Sequence, residues 1–197
     1  MGRVARVFVI SGPSGVGKGT LVTRVRDRRP DLGLAVSATT RKPREGEVDG
    51  VSYHFMTEDR FMSLVDQDAF LEWDGHFESR YGTLWDEVNR YLDNGNSVIL
   101  EIDVKGALNV RKAMPEAVLV FVAPPSLQAL EQRLRGRGTE DDEKIALRLS
   151  RVQMEMDYAS HYDETIVNDD LELAVNQLEE LIDRYETDGG TDQDVCH

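Results

Sequence analysis

The chain has 197 residues, the length of one domain or of one domain with an inserted lobe. Its 40% hydrophobic and 30% charged residues are typical of a folded globular protein and exclude a disordered one. The single cysteine, Cys196, excludes a disulfide framework, and the net charge of −14 argues against a protein that binds nucleic acid or acidic lipid.

The first half of the chain is predicted to alternate between strands and helices. An apolar run at residues 6–10 predicts a buried strand, and apolar residues at helical spacing predict a helix that ends before Pro30. Short strands are predicted within residues 34–56 and at 69–73, on either side of a helix capped by Thr57. Thr83 is predicted to open the next helix.

The second half continues this alternation. Continuous apolar runs at residues 98–103 and 117–123 predict parallel strands covered on both faces. Helices are predicted from Ser126 to Arg135, from Thr139 to Met156 and over 171–186, with a strand at 165–167. The pattern indicates an α/β fold in which helices flank a central parallel sheet. The polar residues 188–197 predict a disordered tail.

Neither membrane insertion nor secretion is expected. The longest apolar run, residues 117–123, is far shorter than the about 20 residues of a membrane helix. The apolar stretch near the N-terminus, residues 7–10, is too short for a signal peptide. We therefore predict a cytoplasmic protein.

Basic residues are concentrated at the N-terminal end. Residues 1–44 contain ten basic and two acidic side chains, although the whole chain is acidic. This asymmetry is consistent with a pocket for a small polyanion, whereas the arginines between residues 24 and 29 are more typical of a solvated helix face.

A glycine-rich segment, Gly-Pro-Ser-Gly-Val-Gly-Lys-Gly-Thr, lies between the first predicted strand and helix. This is the context that a phosphate-binding loop requires, since backbone N–H groups and the helix N-terminus attract phosphate. Lys18 is expected to reach the β- and γ-phosphates of a nucleotide. Gly19 stands where most such loops have the serine or threonine that helps to hold Mg²⁺, so Thr20 is expected to serve one residue later, directly or through water. The predicted phosphate-binding residues are Gly12, Pro13, Ser14, Gly15, Val16, Gly17, Lys18, Gly19 and Thr20.

A second motif occupies residues 39–56. Arg41 and Arg44 lie three residues apart around Pro43, and two guanidinium groups at this spacing suit bidentate binding of one phosphate. Tyr53 offers a hydroxyl donor to the same phosphate. Taken alone, two arginines near a turn are more often surface charges, so both interpretations stay open at this point.

Over roughly residues 4–186 the sequence resembles the guanylate kinase family. The resemblance rests on the two motifs above and on Leu-Glu-Trp at 71–73, Tyr-Gly-Thr at 81–83, Glu-Ile-Asp-Val-Lys-Gly at 101–106, Gly-Arg-Gly at 136–138 and Val-Asn-Asp-Asp at 167–170. It implies transfer of the γ-phosphoryl group of ATP to GMP, with Mg²⁺, to give ADP and GDP; dGMP is a further candidate acceptor.

The resemblance also implies how the chain is organised. Residues 1–187 would form a single domain of the P-loop NTPase fold. Its core (1–33, 84–125 and 158–187) would carry a mixed α/β lobe that binds GMP (34–83) and a helical lid (126–157).

Individual roles follow from the same resemblance. The phosphate of GMP would be held by Arg41, Arg44, Tyr53 and Tyr81, and the guanine base would be recognised by Ser37, Glu72 and Thr83. Asp103 would lie near GMP and Mg²⁺. Arg133, Arg137 and Arg148, on the lid and its hinge, would reach the transferring phosphate, and Asn168 would lie near adenine. The predicted catalytic set is Lys18, Arg41, Arg44, Arg137 and Arg148.

This chemistry is consistent with the residues themselves. A nucleoside monophosphate supplies its own anionic nucleophile, so catalysis needs alignment and positive charge rather than a general base. A fixed carboxylate such as Glu72 accepts both N1–H and N2–H of guanine and opposes the acceptor at N1 of adenine.

Two alternative functions are compatible with the same fold. One is a guanylate kinase-like module that binds proteins, and the other is a kinase for a different nucleoside monophosphate. The presence of Lys18, Arg41 and Arg44 favours the enzyme, and Glu72 with Ser37 favours GMP.

Overall fold

A computed structural model describes residues 3–76, 79–136 and 142–187 of the chain. In chain order the elements are β1 (Val7–Ser11), α1 (Lys18–Arg28), β2 (Gly33–Leu34), β3 (Ala38–Thr39), β4 (His54–Phe55), α2 (Glu58–Val65), β5 (Phe70–His76), β6 (Ser79–Leu84), α3 (Trp85–Leu92), β7 (Val98–Glu101), α4 (Val104–Ala113), β8 (Val118–Ala123), α5 (Leu127–Gly136), α6 (Asp142–Asp157), a 3₁₀ helix (Tyr158–His161), β9 (Glu164–Val167) and α7 (Leu171–Thr187).

Five parallel strands form the central sheet, in the order β2-β7-β1-β8-β9. Strands β1 and β8 are buried along their whole length, as their continuous apolar sequences predict. Alternate residues of β1 enter two cores: Phe8 packs with α1 and α7 on one face, and Val9 packs with α3 and α4 on the other. The predicted α/β fold with a parallel sheet flanked by helices is confirmed.

A smaller mixed sheet, in the order β4-β3-β6-β5, has a core of its own. Strand β3 pairs in parallel with β4, whereas β6 pairs antiparallel with both β3 and β5. Phe61 of α2 stacks on Phe70 with a centroid distance of 4.4 Å and meets the edge of Trp73 at 6.2 Å. The Thr57 hydroxyl accepts a hydrogen bond from the Arg60 backbone N–H, so the predicted cap of α2 is confirmed.

Two local predictions are wrong. Thr83 does not open a helix, because it lies in β6, paired with Glu72 of β5, and α3 begins only at Trp85. The strand predicted over residues 98–103 ends at Glu101, and Asp103 caps α4, a helix that the sequence did not predict, by accepting the Gly106 N–H at 2.7 Å. The predicted tail at 188–197 and the cap Thr139 lie outside the described residues.

Within the part of the chain that the structure describes, none of the helices is both long enough and apolar enough to cross a membrane.

Candidate active site

Two positions of the loop between β1 and α1 require glycine, one because of close packing and the other because of its backbone conformation. A Cβ at Gly12 would lie 2.2 Å from the carbonyl oxygen of Val122, so only glycine allows the loop to approach β8. Gly17, the residue before α1, has a φ of +99°, a conformation that side-chain-bearing residues rarely adopt. Helix α1 therefore starts at Lys18, with its N-terminal N–H groups at the end of the loop.

Lys18 extends across this loop. Its Nζ donates hydrogen bonds to the carbonyl oxygens of Gly12 at 2.6 Å and Pro13 at 3.2 Å. Burial lowers the pKa of Lys18, while the nearby carboxylates of Glu101, Glu155 and Asp103 act in the opposite direction. The ammonium group is thus held at the loop by carbonyl oxygens, in a partly desolvated position suited to an anionic ligand.

Glu72 of β5 presents a buried carboxylate, and the residue is only 7% exposed. Its Oε1 accepts a hydrogen bond from the Thr83 hydroxyl at 2.8 Å. Its Oε2 lies close to α4, where a Cβ added to Gly106 would be 3.1 Å away. Burial raises the pKa of Glu72 to about 7, although the Thr83 hydrogen bond lowers it. A ligand that donates hydrogen bonds would stabilise the charged form of this buried carboxylate.

Arg41 is held by a carboxylate of its own motif. Its Nη1 and Nη2 donate to the two oxygens of Glu47 at 2.9 Å and 2.8 Å, and Glu47 also accepts the Arg44 backbone N–H at 2.7 Å. The guanidinium carbon lies 5.3 Å from the centre of the Tyr53 ring. The hydrogen bonds from Arg41 lower the pKa of Glu47 to about 2. The turn is thereby closed around a fixed guanidinium group.

One cleft, with a volume of about 470 Å³, brings the loop and the small sheet together. The predicted site residues among its lining are Gly12, Ser14, Lys18, Ser37, Tyr53, Glu72, Tyr81 and Asp103. Stretches that are far apart in the sequence, from residue 12 to residue 103, therefore face one space.

The other predicted site residues lie elsewhere. Thr83 is buried beside Glu72. Arg41 does not line the cleft, since its guanidinium group is held by Glu47, and Arg44 is exposed on the same turn. Gly19 and Thr20 face a separate groove along α1, and Asn168 is buried against the loop. The remaining predicted residues of the phosphate-binding loop lie between β1 and α1 but do not line the cleft: Pro13, Gly15, Val16 and Gly17. Arg137 and the side chains of Arg133 and Arg148 lie outside the described part of the structure.

Four acidic residues at or beside the cleft were not assigned from the sequence. Glu101, Asp74 and Glu155 line it, and Asp74 accepts a hydrogen bond from the Lys105 ammonium at 2.5 Å. The sequence did contain an indication of Glu101. It lies near the carboxyl end of a predicted buried parallel strand, and ligands bind at the carboxyl ends of such strands. For Glu47, which accepts the hydrogen bonds of Arg41, the only indication in the sequence was its position within the motif at residues 39–56.

Comparisons with known proteins agree on one family. The family model described as guanylate kinase matches residues 4–185. A guanylate kinase of Synechococcus sp. (strain CC9311) is 51% identical over 178 residues, covering 90% of this chain and 94% of the relative. One from Caldanaerobacter subterraneus subsp. tengcongensis is 44% identical over 176 residues, covering 89% and 85%.

Solved structures point the same way. The crystal structure of guanylate kinase from Anaplasma phagocytophilum has a TM-score of 0.77 at 27% identity, covering 94% of this chain and 88% of that one. A shikimate kinase from Bacteroides thetaiotaomicron, with a TM-score of 0.50 at 18% identity, is similar in fold alone.

Proposed function

The chain belongs to the guanylate kinase family and is an ATP:GMP phosphotransferase, and we propose that the two walls of its cleft divide the substrates between them. In this proposal the loop before α1, with Lys18, holds the phosphates of ATP. The opposite wall, built from the small mixed sheet, holds GMP.

The observation that carries this assignment is the composition of the cleft. Its loop side offers an ammonium group and a helix N-terminus, which suit a polyphosphate. Its sheet side offers Glu72, Ser37 and the two tyrosines Tyr53 and Tyr81, which suit a guanine base and a single phosphate. A donor and an acceptor nucleotide bound on these walls would meet inside one enclosed space.

Phosphoryl transfer in such a cleft depends on alignment. The phosphate of GMP is already an anionic nucleophile, so the protein has to overcome charge repulsion and hold the two phosphates in line. Lys18 would carry positive charge to the transferring group. Arg41, fixed by Glu47 and by the Tyr53 ring, and Arg44 on the same turn would hold the acceptor phosphate with Tyr53 and Tyr81.

Recognition of guanine would depend on Glu72. Its carboxylate is buried, and its Oε1 accepts a hydrogen bond from the Thr83 hydroxyl. Guanine supplies two further donors, N1–H and N2–H, whereas adenine would bring an acceptor to the same place. Adenine would leave the buried carboxylate without a hydrogen-bond donor from the base. The free-energy cost of that loss strongly favours guanine over adenine. Ser37 and Asp103 line the same space and would complete the acceptor site.

Mg²⁺ is the metal expected to accompany ATP. Among the described residues no group of three His, Cys, Asp or Glu side chains is arranged to hold a metal alone, so phosphate oxygens and water would supply most of its ligands. The hard oxygen donors near Lys18 fit this ion. Glu101 and Asp103, which line the cleft, would hold it directly or through water, and it would neutralise charge on the ATP phosphates. The Thr20 hydroxyl, the ligand expected from the sequence, faces the separate groove along α1 and would take part only through water.

The division of the chain follows from the same proposal. Residues 1–33, 84–125 and 158–187 would act as the core, 34–83 as the GMP-binding lobe and 126–157 as the lid. Arg133, Arg137 and Arg148 of the lid would add positive charge at the transferring phosphate, and Asn168 would border the ATP site. A cytoplasmic location, where both nucleotides are present, is part of this proposal.

Binding titrations with single variants test the two-walled assignment. Lys18→Met should weaken the binding of ATP and leave that of GMP unchanged, whereas Arg41→Met should do the opposite. Arg60→Met is the matched control, because Arg60 is exposed on α2 of the same lobe. If both site variants weakened both nucleotides equally, the division of the cleft would be wrong.

A further inference from the structure

The connection between β9 and α7 contacts the phosphate-binding loop through one buried side chain. Asn168 is only 6% exposed, and its Nδ2 donates a hydrogen bond to the carbonyl oxygen of Val16 at 2.8 Å. Its backbone N–H donates to the carbonyl oxygen of Ala123, at the end of β8, at 2.9 Å. Asn168 therefore joins the loop to the C-terminal end of β8, a strand inside the central sheet.

The same amide lies against the next loop residue. A Cβ on Gly17 would be 2.7 Å from Nδ2 of Asn168, so the two positions fit together only because Gly17 has no side chain. The Gly17 carbonyl accepts the Leu21 N–H at 3.0 Å, within the first turn of α1, and Lys18 follows directly. The Asn168 amide therefore packs directly against Gly17, the residue that precedes Lys18.

Covalent geometry extends the effect of this hydrogen bond. In a planar trans peptide the C=O and the following N–H point in opposite directions, and the described chain has no cis peptide. A bond that holds the Val16 carbonyl toward Asn168 therefore holds the Gly17 N–H pointing away from it. Loops of this kind bind phosphate through oriented backbone N–H groups, so the direction of this peptide affects affinity.

We propose that Asn168 is a positioning residue of the phosphate-binding loop, whose side-chain amide fixes the Val16–Gly17 peptide for binding of the nucleotide polyphosphate. The proposal rests on the assignment of this loop to ATP. It gives the side chain a role that does not depend on the base of the nucleotide. Loss of the Asn168 amide removes a buried hydrogen bond that holds this carbonyl in one direction, and the loop loses that constraint.

Two variants test this role. Asn168→Leu keeps a similar volume without a donor, and Asn168→Ser is too short to reach the Val16 carbonyl. The dissociation constants of ATP, UTP, inorganic tripolyphosphate and GMP are measured for each, with thermal unfolding to verify folding. ATP, UTP and tripolyphosphate should all bind about tenfold more weakly, by similar factors, as expected for the loss of a buried hydrogen bond. GMP binding should stay within about twofold.

Matched controls separate the possible results. Asn176→Leu makes the same substitution at an exposed position of α7, where Asn176 accepts a hydrogen bond from Arg28, and should leave all four constants unchanged. Unchanged tripolyphosphate binding in the Asn168 variants would overturn the proposal, and so would a loss confined to ATP, which would mean that the side chain reads adenine. If Lys18→Met also left ATP and tripolyphosphate binding intact, the assignment of the loop itself would be wrong.

Discussion

Thr83 donates its hydroxyl hydrogen bond to Oε1 of Glu72 over 2.8 Å, and both residues are buried. They are cross-strand neighbours in β6 and β5. Because burial raises the pKa of Glu72 to about 7 and the hydroxyl of Thr83 partly opposes that rise, the charge of this carboxylate changes near neutral pH. The ability of the site to bind guanine should change with it.

Guanosine affinity is therefore expected to depend on pH. Only the ionised carboxylate accepts both guanine donors, so affinity should fall by up to about tenfold for each pH unit below 7. Guanosine is the ligand to titrate, because the phosphate of GMP has its own second pKa of about 6. Calorimetric titrations between pH 5 and pH 8 measure the effect, and a flat profile would mean that Glu72 does not read the base.

Thr83→Val provides the companion measurement. It removes the hydroxyl and keeps the shape of the side chain, so the hydrogen bond that lowers the pKa of Glu72 is lost. The fall in guanosine affinity should begin at a higher pH than in the wild type. A profile that moved to lower pH would contradict the assigned role of Thr83.

Glu72→Gln is expected to stabilise the fold while it impairs GMP binding. The folded-state pKa of about 7 lies above the unfolded value, so this group favours folding below the unfolded pKa and loses that contribution as pH rises through 7. The variant should exceed the wild type by about 2 kcal/mol in unfolding free energy at pH 8 and by much less at pH 5. Urea titrations at both pH values test the sign; a variant less stable at pH 8 would refute it.

Gly106→Ala should impair GMP use selectively. Its Cβ would lie 3.1 Å from Oε2 of Glu72 and 3.3 Å from Oδ1 of Asp103, so the carboxylate of Glu72 must move. The KM for GMP should rise by about tenfold, in the range of a displaced buried hydrogen bond, while the KM for ATP stays constant. Gly75→Ala lies on the same strand as Glu72. Among the described residues its Cβ would meet only Nη1 of Arg80, at 3.9 Å, so both constants should stay unchanged.

The ion pair between Arg29 and Glu186 lies outside the cleft. Its loss should lower the free energy of unfolding without changing substrate specificity. Glu186 is 3% exposed, and its oxygens accept hydrogen bonds from Ser97 at 2.6 Å and Arg29 at 3.0 Å. Glu186→Ala should reduce the unfolding free energy by about 2 kcal/mol, because Ser97 would lose its buried acceptor while Arg29 keeps Asp31 and Asp183. Urea unfolding measures this, with unchanged KM values for GMP and ATP as the second readout. The exposed control Glu172→Ala should not shift the urea midpoint.

Local patterns in the sequence were sufficient for the elements on either side of the phosphate-binding loop. Strand β1, the loop and α1 follow from consecutive residues, and so do the two apolar strands β7 and β8. The helical interpretation of Thr83 failed because its partner, Glu72, lies eleven residues earlier on a neighbouring strand. No local pattern reveals a pairing of that kind.

Side-chain roles required more than local patterns. Glu72 alone looks like a surface glutamate, and only the family resemblance marked it. The contact of Asn168 with Val16 joins residues 152 positions apart, so neither propensity nor spacing could reveal it. Glu47 was passed over because a glutamate in a charged turn has no signature of the guanidinium group that it holds.

The most direct test of the account is base selectivity at the buried carboxylate. The kcat/KM for GMP and for AMP is measured with Mg-ATP in the wild type and in Glu72→Gln. The account predicts that the wild type prefers GMP by about 10⁴-fold and that the variant loses most of this preference. The same GMP-to-AMP ratio in both proteins would contradict it.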